Sequence, residues 1–234
     1  MTSPAGTEPG IILLSGTVGS TAYGLAGPGS DVDRLGMFAA PTLSLLGLTT
    51  PAESHVTTSP DSTLHEAGKA ARLMLGGNPT VTELLWLPDD LYEVRTALGD
   101  EAIGLRTAFL SAKRVKSAYL GYADKQFRKL LSRGDRSFSA DTRKRAAKHA
   151  RHLMRLVDQG FVLYTAGDLV IRLADPERYR AFGEQVAADP ESVRPFMAAA
   201  EERFAGARSV LPDEPDTAAV EAWLLRVRRA HWTP

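Results

Sequence analysis

Residues 16–38, GTVGSTAYGLAGPGSDVDRLGMF, decide how this chain is read. The apolar run IILLS at 11–15 precedes them and ends at Gly16, as a short strand would. Residues 18–26 fit one short helix, Gly27-Pro28-Gly29 a turn, and residues 31–39 (DVDRLGMFA) a second strand stopped by Pro41. Asp31 and Asp33 are one residue apart, so on a strand both carboxylates point to one face. Two carboxylates that close repel unless a cation lies between them. A hard divalent cation such as Mg²⁺ takes oxygen ligands and leaves room for substrate phosphates. Gly19-Ser20 opens the short helix, where free backbone N–H groups bind phosphate and a glycine allows close approach. The expected arrangement is a phosphate cradle and a pair of metal-binding carboxylates facing one cleft. Either feature alone is commonplace in turns. The combination, set between two strand-like runs, carries the reading.

The rest of the chain bounds that reading. Its 234 residues, 44% hydrophobic and 24% charged, suffice for one large domain or two small ones. With no cysteine, disulfides and thiolate metal sites are excluded. The start MTSPAGTEPG lacks the basic and apolar regions of a signal peptide, and no apolar run is long enough to span a membrane. The expectation is a cytoplasmic protein without a membrane partner. Net charge is zero but uneven: residues 1–110 hold 5 Lys/Arg against 12 Asp/Glu, and residues 111–155 hold 14 against 3. An acidic front and a basic middle suit a cleft that holds cations on one wall and phosphates on the other. A solvated helical surface is the alternative.

Residues 53–65 read as a hairpin broken at Ser59-Pro60, and apolar residues at 64, 67, 71, 74 and 75 have a helical period. Asn78-Pro79 looks like an N-cap followed by proline at the first helical position. From about residue 100 the pattern turns helical: 111–132 and 140–160 are long and amphipathic, a short hairpin or strand is expected at 161–173, and Asp175-Pro176 and Asp189-Pro190 each open a helix. A last helix is expected from about 216 to 230. The fold class expected is α+β, with a mixed-sheet domain over 1–105 and a helical domain over 106–234.

The pattern G-S-T-A-Y-G, five residues, then S-D-x-D resembles the signature of nucleotidyltransferases of the DNA polymerase beta superfamily. It is most similar to the stand-alone predicted nucleotidyltransferases of bacteria and phages, a group with RNA-repair-associated members. The similarity continues in DSTLHEAGKAARLMLGGNPTVTELLW (61–86), in KHARHLMRLVDQG (148–160) and in VIRLAD (170–175). The resemblance implies a nucleotidyltransferase palm and transfer of a nucleoside monophosphate from an NTP to a hydroxyl acceptor with release of pyrophosphate. The acceptor would be an RNA end, a tRNA, a protein or a small molecule. It implies Mg²⁺ (or Mn²⁺) held by Asp31 and Asp33, and a third carboxylate from a neighbouring strand. Asp61 matches that third position by motif, as metal ligand or base, with Glu66 the fallback.

Other residues carry secondary expectations. His65, Lys69 and Arg72 fall at i, i+4 and i+7, one helical face that could hold a triphosphate or simply be solvated. Tyr23 could stack on a base or pack inside the palm. Glu83 could orient a basic neighbour. Lys144, Lys148, Arg151 or His152, and Arg155 again follow helical spacing and could contact phosphates of a nucleotide or RNA end, with Ala147, Ala150, Met154 and Val157 on the apolar side. Two other classes stay open: a nucleotide-binding or antitoxin-like regulator of the same fold that lacks turnover, and a purely structural helical interaction protein.

Overall fold

The computed structural model describes residues 10–132 and 140–233. The N-terminal stretch read for a signal peptide lies, up to residue 9, outside the described residues, as do Arg133 and Arg136 of the basic middle. The strands are β1 (Ile11–Val18), β2 (Asp33–Ala39), β3 (Ser54–Thr58), β4 (Asp61–Glu66) and β5 (Tyr92–Arg95). The helices are α1 (Gly19–Tyr23), α2 (Ala67–Leu75), α3 (Pro79–Thr82), α4 (Ala97–Gly104), α5 (Ala112–Ser132), α6 (Ala140–Ala166), α7 (Pro176–Ala188), α8 (Val193–Gly206) and α9 (Thr217–Ala230). The architecture is α+β: a five-stranded mixed sheet in the order β3-β4-β2-β1-β5, flanked by helices and followed by a helical array.

β1 is flanked on both sides by antiparallel partners, which is why its sequence is almost continuously apolar. It does not stop at Gly16 but runs on to Val18. A β-carbon at Gly16 would come within 2.6 Å of the Leu91 carbonyl and 2.7 Å of Leu87, so the glycine marks a close crossing of backbone, not a strand end. β2 pairs parallel with β4, and β3 and β4 form the expected hairpin around Ser59-Pro60. Leu35 and Met37, inward-facing on β2, lie opposite Gly16 and Leu14 of β1 and are buried.

The helical period read from residue 64 begins too early. Leu64 and His65 are held by ladders to both β2 and β3, and Glu66 pairs with Phe38 of β2 and donates its N–H to the Glu53 carbonyl. The helix starts only at Ala67, where the Glu66 carboxylate accepts the Gly68 N–H at 2.7 Å as an N-cap. Asn78 caps α3 with Pro79 at its first position, and Asp175 and Asp216 cap α7 and α9.

No strand forms at 161–173. The apolar stripe of α6 continues through Leu153, Val157 and Leu163, and the helix ends at Gly167 with φ +70°. Gly160 lies inside it because a β-carbon there would be 2.6 Å from the Tyr119 ring. Residues 168–173 then run extended without a strand partner, alternately burying Leu169, Ile171 and Leu173.

The end of the chain returns to the sheet domain. α9 packs on α2 and α4. Buried Trp223 donates from Nε1 to the Leu98 carbonyl at 2.9 Å, and Thr42 N–H donates to the His231 carbonyl at 2.8 Å. Among the described residues, no helix is long and apolar enough to cross a membrane.

Candidate active site

The site is built at one end of the sheet, where β1 passes into α1 and where β2 and β4 begin. Gly19 sits at φ +69°, a conformation that favours glycine. A β-carbon on it would lie 2.0 Å from Asp33 Oδ2. The backbone of the first helical residue and this carboxylate are therefore in direct contact. The next residue, Ser20, is half-buried, and among the described residues its hydroxyl has no hydrogen bond. No side chain caps α1, which leaves its first N–H groups open.

Asp33 is the first residue of β2 and Asp61 the first of β4. The parallel register pairs Arg34 with Ser62, so the two aspartates start neighbouring strands side by side. Asp61 lies within hydrogen-bonding reach of the Asp33 carboxyl. Burial, then the charge of Asp61, then that of Asp31 raise the pKa of Asp33, while Lys148 of α6 pulls the other way. Asp31 does not lie on the strand as expected. It precedes β2 on an exposed turn and reaches the pair only through its field.

The donor set tests for a metal. Among the described residues, no three Asp, Glu or His side chains are gathered tightly enough to enclose an ion. What is present is a pair of neighbouring carboxylates, Asp33 and Asp61, with a third acid, Asp31, near enough to act on Asp33. Two such groups need a shared proton or a cation between them. An oxygen-only foothold that leaves coordination positions open fits Mg²⁺, which usually takes one or two carboxylates plus phosphate and water.

Glu66 is otherwise engaged. Alternation along β4 turns it to the face opposite Asp61, where it is buried and ion-paired to Arg228 of α9, one contact at 2.9 Å. His65, Lys69 and Arg72 do not share one helical face, because His65 is on β4. His65 Nδ1 lies 2.8 Å from Ser54 Oγ, which also accepts from Lys69 Nζ at 2.7 Å, and Arg72 pairs with Glu53. This cluster lies at the far end of β4, four residues and roughly 13 Å along the strand from Asp61. Lys148 is exposed and close enough to act on Asp33.

Tyr23 faces inward. Its hydroxyl donates to Glu83 Oε2 at 2.6 Å, and its ring lies 3.9 Å from the Arg155 guanidinium carbon. Glu83 in turn pairs with Arg155, both fully buried, and Arg155 also donates to His152 Nδ1 at 3.0 Å. Gln159 extends the network to the Val170 carbonyl at 2.8 Å, and Leu173 N–H donates to the Tyr23 carbonyl at 3.3 Å. Arg155 therefore leaves the free basic stripe expected on α6 and becomes its anchor. It lies two helical turns beyond Lys148 on the same face, so the Arg155–Glu83 pair sets the rotation of α6 that turns Lys148 towards Asp33. The Asn-Pro block carrying Glu83 and the period of α6 were both visible in the sequence, but their pairing across 72 residues was not.

The mixed sheet, the glycine turn against a strand-borne aspartate and the second aspartate beside it define the fold of DNA polymerase beta-like nucleotidyltransferases. Residues 5–170 match the model of the RNA repair pathway DNA polymerase beta family, and the chain belongs to that family. A search of curated proteins found no match.

Proposed function

We propose that the protein transfers a nucleoside monophosphate from an NTP to a hydroxyl of an RNA end and releases pyrophosphate. The observation that carries this reading is the Asp33 carboxylate seated against the Gly19 backbone, with Asp61 beside it and Lys148 of α6 near enough to act on it. Asp33 and Asp61 would hold the metal, with Asp31 at its edge. Mg²⁺ (or Mn²⁺) bound there would neutralise phosphate charge and acidify the attacking hydroxyl. The open N–H groups at Gly19 and Ser20, with the Ser20 hydroxyl, bind the β/γ-phosphates. Lys148 offsets their remaining charge. The acceptor oxygen bonds to the α-phosphorus as the bond to the β-phosphate oxygen breaks, pyrophosphate leaves, and the hydroxyl proton passes to Asp61 or to water. Positioning and charge neutralisation are the whole of what such chemistry asks of the protein.

Support for RNA comes from the family's repair association and from the basic middle of the chain, 14 Lys/Arg against 3 Asp/Glu over 111–155. The division of labour follows: residues 1–105 supply the carboxylates and the phosphate turn, and residues 106–234 supply the cationic wall. The test is incubation with each α-labelled NTP, Mg²⁺ or Mn²⁺, and total RNA, tRNA or protein lysate as acceptor. Label should enter RNA with the wild type and not with Asp33→Ala. Binding of NTP without transfer to any pool would favour a nucleotide-binding regulator instead.

A further inference from the structure

β1 begins at Ile11 and β2 ends at Ala39, and the two residues pair at the end of the sheet remote from Asp33. There Gly10, Ile11, Ala39, Pro41, His231 and Thr233 line a groove of about 260 Å³. Thr42 N–H donates to the His231 carbonyl and Leu43 N–H to the Thr233 carbonyl, so Trp232 is held beside Leu43. From Pro41 the chain continues through Leu46 and Leu48. Among the described residues Leu48 is fully exposed, Leu46 68%, Ile11 63%, Trp232 59% and Leu43 39%. Tryptophan is highly buried on average, and apolar groups gathered in this way mark an interaction surface. Residues 35–52 hold no Lys, Arg, Asp or Glu in a chain that is 24% charged. Loss of charge and an exposed tryptophan are the composition of an interface centre. Exposed Thr49, Thr50 and Thr233 give it a polar rim.

We propose that this face is the contact between two copies of the chain, related by a twofold axis. Three observations select a second copy. The patch carries both projecting side chains, Leu48 and Trp232, and a groove to receive them, which is the self-complementarity that a twofold contact requires. The five apolar side chains expose roughly 600 Å², and with the threonine rim this approaches the ~800 Å² per partner of a stable interface. Two uncharged faces on a chain of net charge zero also meet without like-charge repulsion. The contact lies at the opposite end of β2 from Asp33, so each copy keeps its cleft open. The proposal does not rest on the transferase reading above.

The experiment is sedimentation equilibrium of the full chain over a wide range of concentration, for wild type, Trp232→Glu, Leu48→Glu and Trp232→Phe. Wild type should form dimers and no larger species. Trp232→Glu and Leu48→Glu should each raise the dimer dissociation constant at least tenfold, because each buries a charge in an apolar contact. Trp232→Phe should retain part of the association. Both glutamate positions are exposed in the single chain, so variants measured as monomers at high dilution should melt as wild-type monomer does, which separates lost association from lost folding. Fluorescence gives a second reading. Trp86 and Trp223 are buried and Trp232 is exposed, so dilution of wild type should shift tryptophan emission to the red, and Trp232→Phe should lose that shift. A wild type that stays monomeric at every concentration would overturn the proposal and leave the patch to a different protein. A dimer that both glutamate variants leave intact would overturn it as well, by placing the contact elsewhere.

Discussion

Gly19 and Asp33 touch. The space a β-carbon would need on Gly19 is occupied by Asp33 Oδ2, 2.0 Å away, and Gly19 holds a left-handed φ of +69°. Gly19→Ala therefore meets both a strained backbone and a steric collision with a carboxylate. We expect it to cost about 1–3 kcal/mol of stability and to reduce transfer by roughly 100-fold, because the carboxylate has to swing away from the phosphate turn. Urea unfolding together with a transfer assay checks both parts. Near-normal activity in a folded Gly19→Ala protein would mean that this contact has no role in the chemistry.

Asp33 is held above the ordinary carboxylate pKa by burial, by Asp61 and by Asp31. Because its folded value exceeds its unfolded one, ionised Asp33 opposes folding at neutral pH, and that cost fades as pH falls through the folded value and is gone below the unfolded one. Asp33→Asn should accordingly melt about 1–3 °C higher than wild type in metal-free buffer while losing activity. A lower melting temperature would show that the aspartate is structural.

The Arg155–Glu83 pair is fully buried and also holds Tyr23. Removing one partner leaves an uncompensated charge, so Glu83→Gln should destabilise by about 3–5 kcal/mol. Tyr23→Phe, which keeps the ring under Arg155 and loses only the hydroxyl bond, should cost about 1–2 kcal/mol. Denaturant titrations of the two variants give the comparison. Equal losses would contradict a network centred on the ion pair.

His152 accepts from Arg155, a group that can only donate, so its Nδ1 is unprotonated. Burial foremost, then Arg155 and neighbouring cations, push its pKa down to about 3. Neutral His152 stabilises the fold in full above the unfolded value near 6.5, and that contribution is lost as pH falls from there towards 3. Stability should drop by roughly 1 kcal/mol per pH unit across that window. His152→Gln should flatten the slope, as read by thermal melts between pH 7 and about pH 4.

α9 closes the sheet domain through Trp223 and through Arg228 on Glu66. Trp223→Ala should destabilise by about 3–5 kcal/mol. Glu66→Gln should weaken the α2 cap and the Arg228 pair without abolishing transfer, because Glu66 faces away from Asp61. Complete loss of transfer in a well-folded Glu66→Gln protein would reinstate it as the third carboxylate.

Local signals in the sequence were sufficient for the strand–turn–strand unit around Gly19 and Asp33, for the capped helix starts at Asn78 and Asp175, for the two long helices and for the last helix. Three features escaped because their causes are not local. β1 runs through Gly16 since the crossing chain near Leu91 wants no side chain there. His65 is a strand residue since ladders on both sides outweigh a helical period that starts properly at Ala67. The hairpin expected around Gly167 is instead the end of a helix, because an apolar stripe read in isolation at 161–173 fits either period. At the site, the sequence pointed to Asp31 as the partner of Asp33 along one strand, whereas Asp31 precedes β2. The register sets Asp61 beside Asp33 from the next strand, a place that the family resemblance had suggested for it and that no spacing along the chain encodes.

The central claim is that Asp33 and Asp61 serve transfer of a nucleotide rather than of a single phosphate. The direct measurement follows α-labelled and γ-labelled NTP in parallel, with Mg²⁺ and an RNA acceptor, for wild type, Asp33→Asn and Asp61→Asn. The account predicts α-label in the RNA, γ-label in pyrophosphate, and neither in the variants. Label from the γ-position in RNA, or undiminished transfer by both variants, would contradict it.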